Sequence, residues 1–327
     1  MAVLKKTCSL LKNSISFWVV VVLATAFSCN NSEVSPEPEV EYPLLLNSSI
    51  TYDNEDRAYL LYIPKGYTKN SEWPLVINFH GRGSSNQVQM GYSQFNTLAD
   101  EFKFMVAYPQ GLIGTVEGVT ATHWNANFGT GVDDTGFVNV MIDEIYANQG
   151  INLAKVYAIG MSNGGFMAYT LACDMSDRIA AIASVTGGMS ASSLDECLPL
   201  RPVPILEIHG TADEVVPYWG VDNLPPTVPD VVGFWVNINQ CNTAEVIEEN
   251  LPDINTEDNS TVTLQQYNTC NQETSVVFYT INNGGHTWPG AFPVLTLGNT
   301  NKDINASKII WNFLDSHSHP NPKMPGS

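Results

Sequence analysis

Between Val156 and Cys173 the chain reads Val-Tyr-Ala-Ile-Gly-Met-Ser-Asn-Gly-Gly-Phe-Met-Ala-Tyr-Thr-Leu-Ala-Cys. A short apolar run, Val156 to Ile159, passes through Gly160-Met161-Ser162-Asn163-Gly164 into an Ala- and Met-containing stretch with helical spacing, so the segment is predicted to be strand, sharp turn, helix. Such a turn imposes strained backbone angles on its central serine, and Gly160 and Gly164 must lack side chains for strand and helix to approach. A serine held there presents its hydroxyl above a helix N-terminus, where free N–H groups and the dipole stabilise developing negative charge. Ser162 is therefore the candidate nucleophile. A Gly-rich turn with a capping serine would look similar, so the reading depends on partners further along.

A serine hydroxyl attacks only when a base takes its proton and an acid fixes the tautomer of that base. Two downstream loops supply them. His209-Gly210-Thr211-Ala212-Asp213 follows an apolar strand at Val203 to Ile208, and Asn282-Asn283-Gly284-Gly285-His286 follows another at Val276 to Ile281. The order Ser162, Asp213, His286 is one in which nucleophile, acid and base occur along α/β-hydrolase chains. Glu214 and Asp222 are rival acids. Of the other five histidines, His317 and His319 lie in a polar tail, and His80 and His209 sit at strand ends before glycine, where an imidazole usually bonds a loop. His123 reads first as a satisfied surface histidine, with the rim of a pocket as the alternative.

A tetrahedral intermediate needs two backbone donors. The N–H of Asn163, directly after the nucleophile, is one. The other is assigned to Arg82, with a register open by one residue, in the Gly-rich loop His80-Gly81-Arg82-Gly83-Ser84-Ser85. That loop has no Lys-Ser/Thr ending and no G-x-G-x-x-G spacing, which sets nucleotide binding aside.

At the N-terminus, Lys5, Lys6 and Lys12 precede an apolar run from Ile15 to Phe27, 13 residues long, against the ~20 that a membrane span requires. Residues 1–28 are predicted to be a cleaved export signal. Small residues before Cys29 favour a lipoprotein signal, with Cys29 lipidated as the sole link to a membrane. A plain secretory signal remains the alternative. Residues 29–50 are predicted to be an acidic, Pro-containing tether, 51–317 one catalytic domain and 318–327 a polar C-terminal tail. Removing the signal takes away three of the 14 lysines and arginines and none of the 33 carboxylates, moving the formal net charge from −19 to −22. So acidic a chain excludes nucleic acid as partner and favours neutral substrates. Four cysteines remain beyond Cys8 and Cys29. Their spacing matches no zinc motif, and neither metal nor cofactor is expected. Of three possible pairings, Cys173–Cys197 with Cys241–Cys270 closes the most local loops.

Strands are predicted at Tyr59 to Ile63, Leu75 to Phe79, Phe104 to Tyr108, Ala180 to Val185, Val203 to Ile208 and Val276 to Ile281. Helices are predicted near Ser93 to Lys103, Thr135 to Asn148, Pro229 to Gln240 and Asp303 to His317. The second of these is capped by Asp133 or Asp134, with Phe137, Met141 and Ile145 on its buried face. Strands alternating with helices mean a doubly wound, mostly parallel sheet whose sites lie at the strand carboxyl ends.

Phe79-His80-Gly81-Arg82-Gly83, Trp124-Asn125, Val132 to Phe137, Gly160 to Gly165, Pro204 to Pro217 and Gly285 to Gly290 together resemble the secreted esterases grouped as polyhydroxybutyrate depolymerase-like and as feruloyl or acetylxylan esterases of carbohydrate esterase family one. The resemblance runs from about Arg57 to Phe313. It implies an α/β-hydrolase fold, metal-free ester hydrolysis, and Ser162, Asp213 and His286 as the triad. The acidic stretch Glu245 to Asn271 is longer than that pattern suggests and is expected to reshape one pocket wall. Trp124, beside His123, and Trp288, two residues past His286, are expected to reach the mouth of the site and stack on sugar or phenolic rings, the alternative for Trp288 being that it only packs the His286 loop. The expected substrate is a feruloyl or acetyl ester of a xylan-type polysaccharide, ahead of a polyester, for which an exposed apolar surface would be the sign. Rivals of other classes are a serine peptidase of similar fold and a non-catalytic carbohydrate-binding lipoprotein. Oligomeric state is left open.

Overall fold

The alternation of apolar residues within the strands decides the layers. In Leu75–Phe79, the third strand, Leu75, Ile77 and Phe79 join one apolar cluster while Val76 joins the other, so the strand is buried on both faces. This is the signature of a parallel strand covered on both sides by helices. The computed structural model describes residues 42–326, apart from 70, 117, 127, 128, 130, 224 and 225. The predicted export signal, Cys29 and most of the predicted tether lie outside the described residues.

The strands are β1 (Leu44–Tyr52), β2 (Glu55–Ile63), β3 (Leu75–Phe79), β4 (Met105–Pro109), β5 (Leu112–Val116), β6 (Val119–His123), β7 (Val156–Met161), β8 (Ala181–Val185), β9 (Ile205–Gly210), β10 (Ile247–Asn250), β11 (Thr261–Tyr267) and β12 (Val276–Asn282). Ten of them form one sheet in the order β1-β2-β4-β3-β7-β8-β9-β12-β11-β10, and β5 pairs with β6 as a separate hairpin. The six central strands, β4 to β12 in that order, run parallel, while β1, β2, β10 and β11 extend the edges antiparallel. The predicted doubly wound, mostly parallel sheet is therefore present.

The helices are α1 (Asn86–Ser93), α2 (Phe95–Phe102), α3 (Asp134–Gln149), α4 (Asn163–Asp174), α5 (Ala191–Glu196), α6 (Val228–Ile238) and α7 (Ala306–Asp315). One face of the sheet packs on α3, α4 and α6 through Phe137, Met141, Ile145, Met167 and Trp235. The other packs on α2 and α7 through Phe95, Ile310, Trp311 and Leu314. The N-cap of α3 is Asp133, whose side chain accepts from the Gly136 N–H. No helix among the described residues is long and apolar enough to cross a membrane.

Three expectations are corrected. The tether does not extend to residue 50: β1 begins at Leu44 and pairs along its whole length with β2, which satisfies its backbone. The helix predicted near Ser93 to Lys103 is α2, and the sequence reading missed α1 just before it, which Gln94 ends at φ 54°. The C-terminal tail is not a free polar end. His319 is buried, its N–H donates to the Ala154 carbonyl and its Nε2 bonds the Ser176 carbonyl, while the Lys323 N–H donates to the Asp177 carbonyl. The stretch Glu245 to Asn271 builds β10 and β11 at the sheet edge, and among the described residues none of it lines the cleft described below.

Both sequential disulfides are formed: Cys173–Cys197 ties the end of α4 to the end of α5, and Cys241–Cys270 ties the segment after α6 to the segment after β11. They close loops of sequence separation 24 and 29, for which chain entropy estimates a contribution of roughly 3 to 4 kcal/mol each. Replacing either pair by alanine should lower the unfolding free energy by about that amount in a urea titration, with activity retained at low denaturant. Crossed pairs in non-reducing peptide mapping would overturn the assignment.

Candidate active site

At the end of β7 the chain reverses into α4 through Ser162, which has φ 56° and ψ −125°, a conformation a serine adopts only under compulsion. The compulsion is the proximity of strand and helix. A Cβ on Gly160 would lie 2.3 Å from the Gly164 carbonyl carbon, and one on Gly164 would lie 2.2 Å from the Phe79 carbonyl oxygen. Ser162 is pinned on both sides of its backbone: its N–H donates to the Val185 carbonyl at 2.9 Å, and its carbonyl accepts from Gly165 at 2.8 Å and Phe166 at 3.0 Å. Its hydroxyl lines a cleft of about 920 Å³ at the carboxyl ends of the parallel strands.

Asp213 and His286 arrive on the loops after β9 and β12, neighbouring parallel strands. The loops touch through glycine, since a Cβ on Gly210 would lie 2.2 Å from the Gly284 carbonyl oxygen, and the Ala212 N–H donates to that same oxygen at 2.9 Å. His286 Nδ1 lies 2.7 Å from Asp213 Oδ2, and the other carboxylate oxygen accepts from the N–H groups of Val215 and Val216, each at 2.8 Å. A carboxylate holding Nδ1–H leaves Nε2 as the lone-pair nitrogen, and His286 lines the same cleft as Ser162. Burial alone would raise the Asp213 pKa, but the bonds from His209 and His286 hold the carboxyl well below the usual carboxylate range. Glu214 and Asp222, the rival acids, are exposed.

The Gly-rich loop after β3 is built around His80. Its Nδ1–H donates to the Gly81 carbonyl at 2.7 Å, and its Nε2 accepts from the Gly111 N–H at 3.0 Å. The Gly83 N–H donates to the Thr122 carbonyl at 2.8 Å, so the β5–β6 hairpin braces the loop. Gly81 lies against the serine: a Cβ there would be 3.4 Å from Ser162 Cβ. The Asn163 side chain clamps the next segment, accepting from the Trp124 N–H at 2.7 Å and donating to the Trp124 carbonyl at 3.1 Å. Arg82 and Asn163 both line the cleft beside Ser162.

The two tryptophans do not. Trp124 is 0 % exposed, edge-on to Phe79, and its Nε1–H donates to the His80 carbonyl at 2.9 Å. Trp288 is 1 % exposed and donates to Ser307 Oγ on α7 at 2.9 Å. Both rings are structural, because indoles of this size find more apolar contact beneath the loops than at their rim. His123 does line the cleft wall, buried against Gly114 of the hairpin with Nδ1 3.3 Å from the Ala121 carbonyl. Sequence reasoning missed the rest of the wall, which is mostly aliphatic and aromatic: Val88, Val119, Phe166, Val215, Val221 and Phe292, among others. Five of these, Val88, Val119, Val215, Val221 and Phe292, are more than half exposed and frame the opening. Among the described residues no group of three or more His, Cys, Asp or Glu side chains could hold a metal ion.

The family model described as esterase PHB depolymerase matches residues 57–197. NocK of Nocardia uniformis subsp. tsuyamanensis, an esterase by its designation, is 31% identical over 280 residues, 79% of each chain. Feruloyl esterase B of Piromyces equi is 32% identical over 70% of this chain, which spans 42% of that protein's length. Among solved structures, a family-one ferulic acid esterase from Anaeromyces mucronatus superposes with TM-score 0.53 at 15% identity, covering 88% of this chain and 96% of the other. An acetyl xylan esterase from Aspergillus awamori gives TM-score 0.52 at 16% identity, over 74% and 94%. At these identities the structures speak for the fold alone.

His80, His317 and His209 make stability depend on pH. Burial pushes His80 and His317 down to about 4. Unfolded, each takes a proton near its ordinary value of about 6.5, so their contribution is whole above that pH and is lost as pH falls toward 4. His209 behaves oppositely. Burial would lower it, but the bonds to Asp213 and Glu207 raise it to about 9, so its contribution is whole below about 6.5 and is lost as pH rises through 9. Urea midpoints measured from pH 4 to 9.5 should peak between about 6 and 7. A midpoint still climbing above pH 8 would contradict this.

Proposed function

Since the chain belongs to the polyhydroxybutyrate depolymerase-like esterase family and is a carboxylic ester hydrolase, we propose that it works through an acyl-enzyme formed on Ser162, with His286 as base and Asp213 as acid. The observation that carries the reading is the 2.7 Å Asp213–His286 bond in the cleft that the strained Ser162 also lines. His286 Nε2 takes the Ser162 proton as Oγ bonds the ester carbonyl carbon. The resulting oxyanion is received by the N–H groups of Asn163 and Arg82. Collapse breaks the ester bond, and His286 returns the proton to the departing alcohol. Water then repeats the sequence on the acyl-enzyme, releasing the acid and restoring Ser162.

The substrate proposed is an ester on a plant polysaccharide of the xylan type, as the names of the feruloyl and acetylxylan esterase relatives suggest. An apolar cleft of about 920 Å³ exceeds what an acetyl group fills and suits an aromatic acyl group better. A second reading, polyester cleavage, is favoured by the exposed apolar residues framing the opening, the kind of surface that holds a water-insoluble polymer. Export by residues 1–28, with a lipid anchor at Cys29, fits either polymer, since neither enters a cell.

Ser162→Ala and His286→Ala should each lower kcat by about 10⁴-fold or more, with little further loss when combined, because they act as a unit. Asp213→Asn should cost about 10⁴-fold through the wrong tautomer. Glu214→Gln and Asp222→Asn should stay near wild type. An active Asp213→Asn would remove Asp213 from the acid role.

The substrate is decided by kcat/KM on methyl ferulate, acetylated xylo-oligosaccharide and hydroxybutyrate oligomers. Methyl ferulate should lead. A tenfold preference for the hydroxybutyrate series, about 1.4 kcal/mol in transition-state binding, would establish the polyester reading instead.

A further inference from the structure

Beneath the Asp213–His286 pair lies a second histidine that the proposed mechanism does not use. His209, the fifth residue of β9, is 0 % exposed. Its Nδ1 is 3.0 Å from Glu207 Oε1 and its Nε2 is 2.9 Å from the Val216 carbonyl oxygen. Nε2 is also 3.4 Å from Asp213 Oδ2, the oxygen that His286 bonds. The other Glu207 oxygen accepts from the Tyr169 hydroxyl on α4 at 2.9 Å. The edge of the Tyr218 ring closes the site, with centroids 6.1 Å apart, and the Tyr218 hydroxyl is turned to Thr280 on β12.

The hydrogen-bond count restricts the charge. A carbonyl oxygen can only accept, so Nε2 must carry a proton. A carboxylate whose other oxygen already accepts from Tyr169 also calls for an N–H on Nδ1. The competing arrangement puts that proton on Glu207 and leaves the ring neutral. It also leaves the Asp213 carboxylate, in a site sealed from water, with the hydrogen bonds from His286, Val215 and Val216 but no cation beside it, where a buried charge is better held by an ion pair. Ion pairing across Glu207, His209 and Asp213 favours the imidazolium.

We propose that His209 is held as an imidazolium by Glu207 and is a positioning residue for Asp213, keeping that carboxylate ionised and its loop in place beneath His286. The Nε2–H···O=C bond to Val216 fixes the loop from Asp213 to Pro217, whose Val215, Val216 and Pro217 also form cleft wall. One structural pair thus sets both the charge state of the acid and the position of one wall. In its kinetic consequence the proposal rests on the triad reading above.

The first measurement does not depend on turnover. In ¹⁵N-labelled protein, with His209→Gln used to assign the signals and Glu207→Gln used if that variant does not fold, both ring nitrogens of His209 should carry protons from pH 6 to 8. A single protonated nitrogen over that range overturns the proposal. The second is the pH profile of kcat/KM. His209→Gln removes the cation directly, and Glu207→Gln removes it by taking away the carboxylate that holds the Nδ1 proton, so that His209 becomes neutral; either change makes proton uptake by the acid–base pair easier. The acidic limb should then move up by about half a unit or more, with KM within about twofold. A merely structural histidine would lower thermal stability and leave the limb where it was, and that result in either folded variant overturns the positioning role. If wild type turns over no ester, the triad reading fails and the nitrogen signals alone decide the charge state of His209.

Discussion

The van der Waals contact between the backbones of β3, β7 and α4 is the constraint on which the site depends. Gly160 and Gly164 let the carbonyl of Phe79 and the first turn of α4 approach within distances that no side chain would tolerate. The approach forces Ser162 into its strained conformation, and such strain costs on the order of 1–3 kcal/mol. The surrounding ladder supplies the offset: β7 is buried along its length and paired in register with β3 on one side and β8 on the other. A serine in relaxed geometry would cap the helix. Here no side-chain cap bond is made, and the hydroxyl is left to the cleft.

The loops that meet around Ser162 are tied to one another as firmly as to their own strands. Asn163 clamps Trp124, Trp124 bonds the His80 carbonyl, and His80 holds Gly81 and Gly111. Across the cleft, the Asp213 and His286 loops share the Gly284 carbonyl and the Gly210 contact. The His286 loop is buttressed from outside by the segment Asn255 to Ser260 through Asn283, Asn299 and Asp303. The acidic stretch expected to shape the pocket thus contributes by propping its far side. Cross-bonding of this kind keeps catalytic groups in register without relying on any single loop's rigidity.

What was legible in the sequence was whatever a local rule determines. The elbow follows from two glycines at fixed offsets around a serine, β3 from an unbroken apolar run, and α3 from Phe137, Met141 and Ile145 at helical spacing above an aspartate cap. What escaped was set by partners distant in the chain. β1 alternates half-buried and exposed residues among serines and threonine, and only pairing with β2 makes it a strand. All four residues of β10 are exposed, so no apolar pattern announced it. Gln94 ends the unpredicted α1 in a left-handed conformation that glutamine rarely adopts, leaving no signal to read. Trp124 and Trp288 show the same limit at the site. Nearness in sequence to His123 and His286 placed them at the mouth, while tertiary packing turned both rings inward.

The packed C-terminal segment bears on how the molecule can be handled. His319 and Lys323 are pinned at Ala154 and Asp177, and His317 Nε2 lies 3.0 Å from Ser275 Oγ. Ala154 and Ser275 precede the first residues of β7 and β12, so this segment lies at the amino ends of the parallel strands, with the cleft at their carboxyl ends. An immobilisation handle fused after Gly326 would therefore emerge from the back of the sheet. Particles coated through that handle would carry the enzyme with its opening facing outward, toward any solid substrate brought against them.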